Sequence, residues 1–430
     1  MKKTVISIIA IGLSLGSQAK KALDHSSFDD WKKVTNHSLS NDGAWAAFSV
    51  NPQEGDGMLT LRNTKNNAEI NIPRGSGVKF TADSRWAIAE IIPLFKDTRQ
   101  AKIDKKKDFD MPQDSLAIID LKSRSVTKIP LVKGFKTSKD GSAWIAYHSC
   151  DTTVTKNIRL KDKDAGLPLV IRNLSSGDTV VVPYVKHYVF SDEGSRLATV
   201  ICPPEKDSVF NSGVRLFDLA KSDTYQLDEK KKYYGSPVFS KDGMKLAYTA
   251  TNDSNKTGTR RMQLWLADLA SSSISPEEIE VAITTGRKGP NLQRPHAEDP
   301  ELQEKLLSEW KEKMAKSRGE ELYINQYSEP EFSHNGLRLV IGVAPEIAPD
   351  DTTLVSFETP ELDIWRWDAP YTPPQDNHNV ESMRKQTFPV VIDLASGNRQ
   401  LIDSNPLASI DVPDRWDADW ALLRGPSKEI

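Results

Sequence analysis

The sequence predicts an all-β fold built from repeated four-stranded units, and three observations predict it. A short turn pattern returns six times, a second hairpin pattern follows each copy, and the copies are spaced as four strands plus loops require. The first copy reads His37-Ser38-Leu39-Ser40-Asn41-Asp42-Gly43-Ala44-Trp45-Ala46-Ala47-Phe48. The pattern returns over residues 78–88, 135–147, 188–199, 237–248 and 330–341. Its hydroxyl residues are Ser40, Thr81, Ser138, Ser191, Ser240 and Ser333, at successive spacings of 41, 57, 53, 49 and 93 residues.

Each element has a physical reason. An apolar residue and the Ser or Thr end one strand. Asp-Gly, Glu-Gly or Asn-Gly then makes a tight turn that tolerates positive φ. An alternating strand such as Lys245-Leu246-Ala247-Tyr248 follows. After a loop of variable length comes a second hairpin, whose copies begin at Leu59, Leu116, Leu169, Val214, Leu264 and Val390. Polar turns such as Ser176-Gly177-Asp178 and Ser396-Gly397-Asn398 lead to a fourth strand, for example residues 179–182. Sheets of this kind bury their two faces only against neighbouring copies. Radial closure protects the strand edges, so the expected architecture is a β-propeller of four-stranded blades. Residues 411–422 resemble the opening of an incomplete seventh unit, and residues 28–34 offer an alternative strand to complete a ring.

One segment departs from the repeat. Asp299-Pro300 reads as a helix start, and Leu302, Leu306, Leu307, Trp310 and Met314 fall on one helical face before Gly319. A helical insertion over residues 296–320 is therefore expected, either packed on the rim or available for docking. The expected organisation is residues 1–19 as a leader and 20–430 as the propeller.

The leader reading follows from Lys2-Lys3, the apolar run over residues 4–15 and the small residues of Ser17-Gln18-Ala19. The apolar run is too short to span a bilayer. Together these features predict export to the periplasm or beyond, with no membrane span in the mature chain. The formal net charge of −3 becomes −5 without residues 1–19, which carry two lysines and no acid. Such a surface gives no electrostatic reason to bind nucleic acid. Cys150 and Cys202 follow equivalent strands of neighbouring repeats, which favours two separate thiols over a disulfide. Two cysteines at this spacing do not form a zinc cluster, and no cofactor or metal motif is present.

The six turn units resemble the repeat of TolB-type propellers. Two further segments are more particular: Trp31-Lys32 through Gly43 with residues 51–57 (NPQEGDG), and residues 362–368 (LDIWRWD) with Pro373 to Gln375 downstream. Together they resemble the N-terminal half of exported bacterial serine peptidases of the prolyl oligopeptidase family, over residues 24–420. That resemblance implies a propeller that restricts access of peptides to an α/β-hydrolase domain carrying Ser, Asp and His. The nearest match to a nucleophile elbow, Gly12-Leu13-Ser14-Leu15-Gly16, lies within the leader, where no strand–turn–helix elbow forms.

No catalytic residue is therefore assigned from the sequence. The expected function is the non-catalytic propeller portion of a periplasmic peptidase, partnered by a separate or missing hydrolase domain and by peptides. The alternative is a stand-alone exported propeller that binds a protein or a cell-envelope ligand. Trp365, Trp367 and Tyr371 form the aromatic cluster expected to contact a ligand or another domain, or to pack within a strand and rim.

Overall fold

The computed structural model describes residues 31–284, except 142, 163, 206, 208, 230, 255–257 and 272, and then residues 321–347, 365 and 371–425. The expected leader, the helical insertion at 296–320 and Trp367 lie outside the described residues. By internal contacts the chain divides into two compact parts, Met1–Leu131 and Val132–Ile430.

The first part holds the first repeat as one four-stranded antiparallel sheet, Lys32–Leu39, Trp45–Pro52, Met58–Asn63 and Glu69–Pro73, paired in sequence order. Lys32, Lys33 and Val34 lie opposite Pro52, Asn51 and Val50 in this sheet, so their pairing partner is the first repeat's own second strand. Gly75–Phe80, Trp86–Ile91 and Asp114–Asp120 continue as the second repeat. Alternating residues of the two sheets meet in one core of Trp45, Leu59, Leu61, Ile72, Ala89 and Ile119, all buried. Burial of such side chains is worth about 1.5–3 kcal/mol each.

In the second part the strands again pair antiparallel in sequence order. Trp144–Ser149 and Leu167–Asn173 belong to the third repeat, and Arg196–Ile201, Gly213–Asp218 and Asp223–Asp228 to the fourth. The fifth repeat is built on Lys245–Thr251 and Gln263–Asp268. The sixth is a four-stranded sheet of Glu331–Phe332, Arg338–Val343, Phe388–Asp393 and Arg399–Leu401. Apolar clusters lie between successive repeats, for example Val214, Leu216, Leu246 and Tyr248 between the fourth and fifth.

Two strands are longer than the sequence predicts, Ser125–Thr137 and Thr179–Phe190. Each serves two repeats, as the last strand of one and the first of the next. The corner is built the same way at three places: Pro73-Arg74, Pro130-Leu131 and Pro183-Tyr184. Proline interrupts the ladder by removing an N–H donor, and the residue after it is left-handed, with φ of 62°, 57° and 55°. A β-bulge follows in each new strand, at residues 76–79, 133–135 and 185–187.

The repeated Ser or Thr has a definite task. All six are buried, between 0 and 8% exposed. Ser40, Thr81, Ser240 and Ser333 donate to the acid or amide two residues on, at 2.5–2.8 Å. The same oxygens accept the first N–H of the next strand, from Trp45, Trp86, Lys245 and Arg338, at 2.9–3.0 Å. The third strand of every repeat ends in Asp or Asn (63, 120, 173, 218, 268 and 393). Each of these accepts a backbone N–H from the turn beyond, at 2.8–3.1 Å.

Three helices interrupt the described chain: α1 (Phe95–Ile103), α2 (Thr152–Lys161) and α3 (Pro373–Arg384). All three occupy the connection between the second and third strands of a repeat, where the sequence predicts only a variable loop. The described chain ends in a further hairpin, Ser409–Asp411 paired antiparallel with Leu422–Arg424.

Candidate functional site

Polar side chains converge where the third and fourth repeats begin. The corner at Tyr184 and the bulge at Lys186 shift the register of the strand Thr179–Phe190, so that Val185 faces Ile201 and His187 faces Val200. A bulge re-aims the side chains beyond it. Here it sets His187 Nδ1 3.2 Å from Ser236 Oγ. Ser236 arrives from the fifth repeat through Gly235, whose N–H donates to Thr249 O at 2.8 Å. A Cβ at Gly235 would lie 2.3 Å from Thr249 Oγ1, so a glycine is required at this approach.

The electrostatics decide what this Ser–His pair can do. Burial first, then the Lys186 and Lys136 charges, push the His187 pKa down to about 4. Among the described residues no carboxylate holds the ring as the third member of a triad would. An activated serine needs a base near neutral pKa, a group orienting that base, and an oxyanion hole. His187 is instead a neutral imidazole hydrogen-bonded to a hydroxyl. The sequence separation of the two residues, with a bulge between them and their meeting point, hid this pair from sequence reasoning.

A separate cavity of about 390 Å³ is lined by Lys133, His148, Asp164, Gly166 and Lys186. His148 Nε2 lies 3.0 Å from Val185 O, a contact in which the ring N–H donates to the carbonyl. Its ring meets Tyr188 edge-on at 5.1 Å. Lys136 donates to Tyr188 O at 2.8 Å and lies over the Tyr188 ring. Lys133 and Lys186 line this cavity together with Asp164, and neither lysine makes an ion pair among the described residues. Cys150 is buried and Cys202 half-buried, and both are free thiols. Burial pushes the Cys202 pKa up, which keeps it protonated and unreactive at neutral pH.

A second group is notable for what it lacks. Tyr248 Oη and Trp265 Nε1, opposite one another in adjacent strands, are buried without a hydrogen-bond partner among the described residues. They border a cavity of about 520 Å³ that Asp228, Glu229 and Lys231 also line.

Of the three aromatic residues expected from the sequence to contact a ligand or another domain, Trp367 lies outside the described residues. Trp365 and Tyr371 are exposed, and neither makes a ring contact or hydrogen bond among the described residues. No group of His, Cys, Asp and Glu among the described residues could hold a metal ion. No helix among them is long and apolar enough to cross a membrane.

No family model matches the sequence, and no curated protein matches it. Among solved structures, the chain is similar to the β-propeller domain of the Trilobed protease from Pyrococcus furiosus at 11% identity. That likeness covers 57% of this chain and 71% of that one, with a TM-score of 0.32. It is similar to the tricorn protease at 12% identity over 91% of this chain and 32% of that one, with a TM-score of 0.37. It is also similar to a prolyl endopeptidase at 12% identity over 92% of this chain and 47% of that one, with a TM-score of 0.38. The chain thus spans a third of the tricorn protease and under half of the prolyl endopeptidase.

Proposed function

We propose that this chain is the non-catalytic β-propeller portion of a periplasmic prolyl oligopeptidase-type serine peptidase, gating or orienting peptides for an α/β-hydrolase domain. The observation that carries the propeller half of this reading is the way successive Ser/Thr turns are fastened to one another within each part. In the second part, Asp140 N donates to Asp192 O at 2.7 Å, Arg196 to Gly243 O at 2.5 Å and Lys245 to Gly336 O at 3.3 Å. In the first, Asn41 donates to Ala82 O at 3.0 Å. Turns held at one level in this way are what radially packed sheets require. The peptidase half rests on the resemblance carried by residues 31–57 and 362–375, and export rests on residues 1–19.

A supporting role in peptide handling agrees with the chemistry of the Ser236–His187 pair, which lacks an orienting acid among the described residues. The purified chain is expected to leave chromogenic aminoacyl and dipeptidyl substrates unhydrolysed and to take up no fluorophosphonate probe. Stoichiometric labelling of one serine, with turnover abolished by its replacement with alanine, would overturn the reading. The cavity lined by Lys133, His148, Asp164 and Lys186 favours a second reading, a stand-alone exported propeller that binds a protein or a cell-envelope ligand. Calorimetric titration with short peptides and with acidic glycans separates the two.

A further inference from the structure

Tyr248 and Trp265 stand opposite one another in the second and third strands of the fifth repeat, in the core shared with the fourth. Tyr248 lies eight residues beyond Ser240, as Ala89 does beyond Thr81 and Ile341 beyond Ser333. In those two repeats the position is filled by carbon alone, Ala89 opposite Ala117 and Ile341 opposite Val390, all fully buried. Packing there makes no demand for a polar atom. The fifth repeat nevertheless buries a phenol and an indole, and neither Tyr248 Oη nor Trp265 Nε1 has a hydrogen-bond partner among the described residues. Tyr248 is 0% exposed. Leaving a buried donor unmet forfeits its whole hydration, so native chains seldom do it without a use. The neighbouring phenol is satisfied in the ordinary way. Tyr234, its ring 6.3 Å from that of Tyr248, accepts the Lys231 N–H at 3.0 Å.

Both unmet groups belong to side chains that line the cavity of about 520 Å³ between the fourth and fifth repeats. That volume falls in the range of about 300–1,000 Å³ typical of small-molecule sites. Asp228 and Glu229 line it from the end of the fourth repeat, together with Lys231, whose ammonium lies over the Trp265 ring 5.4 Å from its centre. Gln226 lines it too, but its amide is committed. Its Oε1 accepts from Arg215 at 2.7 Å, and its Nε2 donates to Asp228 O at 2.9 Å. Burial first, then the Asp228 carboxylate, push the Tyr248 pKa up, so the phenol keeps its proton. The lining therefore offers an indole N–H that only donates, a phenol that does either, carboxylates that only accept and an ammonium that only donates.

We propose that this cavity is a binding site for a small neutral polyhydroxylated ligand of the free monosaccharide class. A hydroxyl accepts and donates at once. Neighbouring hydroxyls on one small ring can thus meet the indole and phenol with their oxygens and the carboxylates with their hydrogens. An anion would bring its charge against Asp228 and Glu229. A simple ammonium would pair with those acids but carry no acceptor for the indole N–H. The proposal is independent of the peptidase reading and stands whether or not the chain serves a hydrolase.

The test titrates the full chain with glucose, galactose and mannitol while the indole N–H resonances are followed by NMR. The Trp265 signal is identified by its absence from Trp265→Phe. At least one neutral probe should shift that signal saturably, and glucuronate should bind at least about tenfold more weakly. Methylammonium should leave the signal unmoved. Tyr248→Phe removes only a hydroxyl without a partner among the described residues, so its thermal midpoint should equal or exceed that of the parent. Its affinity for the sugar should nevertheless fall at least about tenfold, a loss that a merely structural hydroxyl would not produce. No saturable shift with any neutral probe, which would leave water as the cavity's occupant, overturns the proposal. So does glucuronate binding as tightly as the neutral sugars, or a Tyr248→Phe protein that binds them normally. The titrations of the parent chain decide the matter by themselves should the variant fail to fold.

Discussion

At the scale of single residues, the ionisation of His187 is coupled to folding. Its pKa of about 4 in the folded chain lies below the ordinary value of 6.5. The unfolded chain therefore binds more protons between these two values, and stability falls as pH drops from about 6.5 to 4. Replacement by glutamine removes that dependence while keeping a polar partner for Ser236. Urea unfolding of His187→Gln at pH 7 and pH 4.5 should show a pH difference smaller than wild type by roughly 2 kcal/mol, allowing for partial exposure of the ring. An unchanged difference would mean that other groups govern the acid limb. The contact itself was out of reach of the sequence, since strand pairing and a bulge create it.

At the scale of the element, the Ser/Thr turn was fully legible, because its chemistry is local. A hydroxyl that caps both the acid two residues on and the N–H five residues on needs no distant partner. Ser240→Ala should leave the Lys245 N–H without its 2.9 Å acceptor and the Asp242 carboxylate without its donor. The expected cost is about 1–3 kcal/mol in chemical denaturation. Ser240→Thr should recover most of it, since Thr81 fills the same slot in the second repeat with the same bonds. Equal stability of both variants would show that the hydroxyl is dispensable. The corners were also written in the sequence, as Pro73-Arg74, Pro130-Leu131 and Pro183-Tyr184. They escape a reading that looks for glycine, because arginine, leucine and tyrosine carry the left-handed φ there.

For the molecule as a whole, the turn-to-turn bonds make stability a property of neighbours, as expected of repeats that cannot bury both faces alone. Arg338 extends this dependence to the last described hairpin, donating to the carbonyls of Trp416, Asp417 and Ala418 at 2.6–3.3 Å. Arg338→Ala should speed amide exchange at Ser409–Asp411 and Leu422–Arg424, lowering the local opening free energy by about 1–3 kcal/mol. Exchange within Lys32–Asn63 should be unaffected. Uniformly faster exchange in both regions would show instead that the arginine supports the fold globally. The sequence hinted at this hairpin through residues 411–422. Its turn lacks the Asp-Gly signature because anchoring by Arg338 and His334, rather than glycine, sustains the left-handed Asp414, Arg415 and Trp416.

The placement of the three helices has a practical consequence. Among the described residues the repeats keep their strands and turns nearly constant, and all three helices enter at one seam, after the second strand and before the third. Residues 53–56 form that seam in the first repeat, and all four are exposed. Asp56 is committed to Phe95 N at 2.8 Å, whereas Glu54 and Gly55 have no hydrogen-bonding duty among the described residues. A reporter domain with closely spaced ends, spliced between Glu54 and Gly55, would thus enter where α1, α2 and α3 already enter their own repeats. It would give a labelled protein whose hydrogen-bonded ladders are those of the parent.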